Sequence, residues 1–174
     1  MDWYTSIFEL IDMRSFSNLW FWIALAVVWS SASHWVLGVP YDMVVRAKRI
    51  GGDAQQDLHD ITRVNVNRLL YIADVSGIWL LAIISFTLTV LAMLGFYYSI
   101  EFAQALFLLG FPMSLVGLVN LKTARNIRAG QNEGDALARQ LGRCRVITQV
   151  IGMISIFITA LWGMYQNLAL GVLG

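Results

Sequence analysis

A chain of 174 residues that is 58% hydrophobic and only 13% charged, against about 25% charged in ordinary soluble domains, has no room for a large polar domain beside a membrane bundle. Its net charge of +1 excludes bulk attraction to nucleic acid or to an acidic substrate, so the placement of each charge carries the information. A single cysteine, Cys144, excludes an intrachain disulfide and any multi-cysteine metal or iron–sulfur site within this chain.

Residues 1–18 are too polar to cross a bilayer. Trp3, Ile7, Leu10 and Ile11 recur at helical steps, with Tyr4 and Phe8 beside them, while Asp2, Glu9, Asp12 and Arg14 fall mostly on the other side. The pattern predicts a short helix lying in the membrane interface. It lacks a basic stretch ahead of an apolar run, so a cleavable signal peptide is not expected and the first span directs its own insertion.

That first span is predicted over residues 19–38, with Trp20 and Trp22 at one end, Trp35 at the other, and Pro40 either closing it or starting a fresh turn. Residues 41–71 are polar and carry Arg46, Lys48, Arg49, Arg63 and Arg68. Gly51-Gly52 divides them into two helices, the second running from about Asp53 into the next span. Residues 75–97 form a run of 23 residues without a charge, and a helix of about 20 already crosses a hydrocarbon core of about 30 Å. Asp74 stands at its threshold.

A short connection at 98–101 leads to a third span at 102–121, in which Pro112 removes one backbone donor and is expected to kink the helix. Residues 122–145 hold Lys122, Arg125, Arg128, Arg139, Arg143 and Arg145 around a turn at 129–134, and a fourth span is expected over 146–172. Of the 12 basic residues, 11 lie in the two polar segments and one, Arg14, in the N-terminal segment. Two spans separate those segments, so both fall on one side. The positive-inside rule makes that side the cytoplasm and places both termini on the non-cytoplasmic side of a bacterial inner membrane.

Three sets of residues are candidates for function. His34 and Asp74 fall at similar depth near the cytoplasmic side and form a possible intramembrane polar pair. Gly110, Ser114 and Gly117 in the third span, and Gly152, Ser155, Thr159 and Gly163 in the fourth, recur at helical spacing. Such stripes pack helix on helix, and the functional alternative is a polar path for a small solute. Arg46, Lys48, Arg49, Arg125, Arg128, Arg143 and Arg145 form a basic patch facing anionic headgroups or a partner. Neighbouring arginines are one reason to ask whether Cys144 is activated. His34 is also a conceivable single ligand for a chlorophyll-type pigment, although no cofactor is predicted beyond associated lipid. No catalytic triad, metal-ligand spacing or phosphate loop is present, so an enzyme is not expected.

The Asp-Trp-Tyr start at 2–4, the Arg-Ser-Phe-Ser-Asn-Leu-Trp stretch at 14–20 and Ser-His-Trp-Val-Leu-Gly-Val-Pro at 33–40 give the chain a further aspect. With them it resembles a small group of alphaproteobacterial four-span membrane proteins of unassigned function, some labelled as components of the SufBCD iron–sulfur assembly complex. The resemblance implies a cytoplasmic partner and supplies no catalytic residue. The expectation is an all-α integral membrane four-helix bundle with an N-terminal interfacial helix and cytoplasmic helical extensions. It would serve as a non-enzymatic accessory, assembly or scaffold subunit, packed against membrane lipids and either a larger complex or itself. The alternative is a small oligomeric transporter or channel using a path near Asp74 and His34.

Overall fold

The computed structural model describes residues 15–17, 19–130 and 133–171. The interfacial helix expected over 1–18 falls almost wholly outside these residues. Among them the fold is all-α, apart from one two-residue hairpin. A 3-10 turn at Ser15–Ser17 leads into α1 (Leu19–His34). The hairpin pairs β1 (Trp35–Val36) with β2 (Val39–Pro40), and α2 (Tyr41–Ile50) follows. Then come α3 (Asp53–Ala92), extended by a wide π turn at Met93–Tyr97, α4 (Glu101–Arg128) and α5 (Gly134–Gly171).

Three of these helices are long and apolar enough to cross a membrane: Asp53–Tyr97, Glu101–Arg128 and Gly134–Leu168. α1 is apolar but only 16 residues long, roughly 24 Å at 1.5 Å per residue. The span expected to reach Gly38 is helical only to His34 because the next residues reverse the chain. Leu37 and Gly38 both have positive φ, 54° and 73°, the backbone a two-residue hairpin turn requires. Leu37 is a costly residue at positive φ, and its burial in the adjoining core offsets that cost. The Asn65 amide donates to the Gly38 carbonyl at 3.1 Å and pins the turn to α3.

The long helices run alternately up and down. Leu88 of α3 lies against Gly110 of α4 and Asp74 reaches Arg128, so these two are antiparallel. α5 reverses again, setting Trp162 beside Gln104 and Cys144 beside Asn120. α1 lies on α5, with Trp22 near Gly163 and Trp29 over Gly152. The array therefore has two ends. One holds Ser15–Ser17, the π turn and the start of α4. The other holds the hairpin, α2 and both basic segments, and is called the basic end below.

Buried apolar side chains concentrate at the basic end. Val36 and Val39 of the hairpin, Val44 of α2, Leu58 and Leu70 of α3, Ile127 of α4 and Leu141 of α5 share one core. The second core, between α1, α4 and α5, has only Leu25, Trp29 and Val116 fully buried. α3 between its polar base and the π turn turns bulk outward: Ile78 is 86% exposed and Phe86 71%.

Candidate functional site

The two residues of the expected polar pair have separate partners. Asp74 is exposed and reaches Arg128 at 3.9 Å, a long exposed ion pair that contributes little energy. His34, also exposed, meets the Trp35 indole edge-on at 5.6 Å.

The small-residue stripes divide. In α5 they face inward. A Cβ on Gly152 would stand 2.7 Å from Trp29 Cε3, and one on Gly163 would stand 3.3 Å from Phe16. Glycine is what lets these aromatic rings lie on the helix backbone. Ser155 hydroxyl donates to the Leu108 carbonyl at 3.4 Å. Leu108 is four residues before Pro112, whose missing N–H leaves that carbonyl without its helical donor. The serine on the neighbouring helix thus fills the gap the proline creates, a recurrent solution where water is absent. Thr159 and Ser114 hydroxyls turn back on their own helices, to the Ser155 and Phe111 carbonyls. Gly110 meets Leu88, whereas Gly117 of α4 and Gly77 of α3 have open space where a Cβ would stand.

The densest polar cluster lies at the end opposite the basic one, around Gln104, which is 3% exposed. Its amide donates to the Gly95 carbonyl at 2.8 Å. Its amide oxygen accepts from Trp162 Nε1 at 2.9 Å and from Gln166 Nε2 at 2.6 Å. Gly95 sits in the π turn, and any side chain there would strike the Gln104 backbone at 2.9 Å. The widened turn and the glycine together let one side chain tie α3, α4 and α5. Phe96 packs edge-on against both Phe107 and Trp162 around this knot. Nearby, Glu101 accepts the Phe16 backbone N–H at 2.8 Å, and Ser17 donates to Asn167 at 2.7 Å. These bonds fasten the 3-10 turn to α4 and α5. The donors and acceptors of the cluster are spent on one another. Its work is locking helices.

Sequence reading singled out Gly110, Ser114 and Gly117 in α4 and passed over Gln104. The available signal was an uncharged amide inside an apolar run, facing Trp162 and Gln166 one turn apart on the last helix. At the basic end Arg46, Lys48, Arg49, Arg125, Arg128 and Arg143 are exposed. Arg145 is half-buried, its guanidinium 3.9 Å above the Tyr41 ring, a cation–π contact joining α2 to α5. Cys144 lies buried beneath them with its thiol 3.2 Å from Asn120 Oδ1. Burial pushes this thiol up, against the hydrogen bond with Thr123, so the flanking arginines do not activate it.

Among the described residues no three His, Cys, Asp or Glu side chains gather as a metal site. Compared with protein-family models, with curated proteins and with solved structures, the chain matches none.

Proposed function

We propose that the chain is a four-span bacterial inner-membrane protein, both termini outside. It acts as a non-enzymatic accessory, assembly or scaffold subunit of a larger membrane complex. One observation carries the reading. The most apolar stretch of α3 is 0% buried within its own chain, although it is long enough to span and runs through Gly77, where a Cβ would meet nothing. A helix that leans on its neighbours along one narrow side offers the rest to lipid or to another helix. An open glycine is where a partner backbone approaches closely. In this reading α1, although short, makes the fourth crossing, its length extended by the Ser15–Ser17 turn and the hairpin. The basic end faces the cytoplasm.

Purification in mild detergent followed by crosslinking tests the reading. A partner subunit or a second copy crosslinked through α3 is the expected result. A chain that runs alone as a monomer and crosslinks to nothing overturns it. So does solute flux into liposomes that Asp74→Asn abolishes, which would establish a transporter or channel instead.

A further inference from the structure

At the basic end, between α3 and the last turn of α4, lies a pocket of about 210 Å³. His59, Thr62, Arg63 and Asn67 form its wall on α3 and Arg128 closes it from α4, over a floor of Val66 and Ile127. The α3 positions step by three and four, so they share one helix face. Every polar group of the wall can donate a hydrogen bond, and the carboxylates beside it sit at the arginines. Asp60 is 3.4 Å from Arg63 and 3.6 Å from His59, and Asp74 is 3.9 Å from Arg128. The two arginine contacts are long and lie between exposed side chains, which leaves guanidinium donors available.

One buried polar group in the wall is an orphan. Thr62 is 1% exposed with its Oγ1 unpartnered, whereas Nδ1 of His59 makes no hydrogen bond but faces Asp60 Oδ1 at 3.6 Å. Buried polar groups are normally satisfied, so an orphan hydroxyl lining a pocket points to something that fills it. Two guanidiniums, an imidazole, an amide and a hydroxyl converging on so small a space match a tetrahedral oxyanion, whose several oxygens accept at once. The carbonyl end of α4 opposes an anion there, so the two arginines must supply the attraction.

We propose that this pocket binds the phosphate group of a phosphorylated molecule. Phosphate monoesters occur both as soluble metabolites and as lipid headgroups. The pocket's α3 residues precede the uncharged run by 8 (Asn67) to 16 (His59) positions, roughly 12–24 Å along the helix. The headgroup layer adds only about 5–8 Å to each side of the hydrocarbon. The soluble source is therefore favoured.

The full chain in phosphatidylcholine nanodiscs, held at constant ionic strength with potassium chloride, is titrated with inorganic phosphate and followed by calorimetry. A second arm replaces free phosphate with phosphatidic acid in the nanodisc. Saturable binding is expected in the first arm. Arg63→Gln and Arg128→Gln, both on exposed side chains, should each weaken it about tenfold or more. Thr62→Val should weaken it several-fold while leaving the melting temperature unchanged or higher, because it removes an unpartnered hydroxyl. Binding of phosphatidic acid alone, lost in the same variants, supports the site and assigns the lipid source. No saturable binding of either probe, or binding that all three variants retain, overturns it.

Discussion

The basic end of this molecule buries a large cluster of apolar side chains, whereas its apolar half buries only a few and fills most of its enclosed positions with small and polar residues. At the basic end Leu58, Leu70, Leu137 and Leu141 are almost fully enclosed, as water outside a bilayer demands. In the apolar half Phe16, Leu25, Trp29 and Val116 are enclosed, but beside them the enclosed positions are small or polar: Gly95, Ala103, Gln104, Ala105, Gly152, Ser155, Thr159 and Gly163, while Ile78, Trp79 and Phe86 face outward. Lipid tails are as apolar as leucine, so burying leucine among helices gains little there. Close backbone approach and interhelical hydrogen bonds must hold the array instead. The contrast teaches that one chain is assembled by two different forces along its length, and each predicts its own sensitivity to mutation.

The largest effect is expected at the basic end. Leu141→Ala, at a side chain with no exposure, should destabilise the protein by about 2–5 kcal/mol in detergent unfolding. Ile78→Ala in the apolar half should stay within about 0.5 kcal/mol. Equal losses at both sites would break the comparison.

Gly152→Ala comes next. It forces a methyl against Trp29, which is itself 4% exposed and has little room to yield. A cost of about 1–3 kcal/mol is expected. Gly117→Ala, with nothing nearby, should be neutral or stabilising by up to about 1 kcal/mol. Gln104→Leu removes the three bonds that join α3, α4 and α5, at about 0.6 kcal/mol each on average in membrane helices. Thermal unfolding should register a loss near 2 kcal/mol, and indole fluorescence should report the freed Trp162.

Smaller still is Ser155→Ala, which reopens the carbonyl that Pro112 leaves behind and should cost about 0.6 kcal/mol. Its partner test, Pro112→Ala with Ser155→Ala, should recover most of that loss, because the alanine N–H again serves Leu108. Failure of the double variant to recover would mean that the serine is not compensating for the proline. The smallest expected change is chemical. Cys144 should react with a maleimide only after the basic-end core opens, and rapid labelling of the folded chain would contradict the burial of its thiol.

Much of the helical layout was legible in the sequence. Long uncharged runs, the Gly51-Gly52 break and the short polar connection before α4 mark where helices start and stop, because hydropathy and glycine punctuation act locally. The hairpin at 35–40 was hidden: Trp35 and Val36 continue the apolar pattern of α1, and leucine at positive φ is tolerated only because the core formed by distant helices receives it. The site residues show the same division. Asp74, His34 and the arginines were visible as charges, but their partners were not, since Arg128 reaches Asp74 from another helix. Thr62 and His59 had no local signal, because an unpartnered hydroxyl exists only once α4 closes over it. Gln104 was overlooked for a similar reason: its partners lie 9, 58 and 62 residues away.

What the sequence determined by itself is therefore the class of the elements and the clustering of charge. An apolar helix satisfies its own backbone and announces its length residue by residue. Tertiary structure decided which glycines are spent on aromatic rings and which stay open, which amide ties three helices, and where donors line a pocket. Those outcomes depend on side chains meeting across helices whose relative register no local pattern encodes.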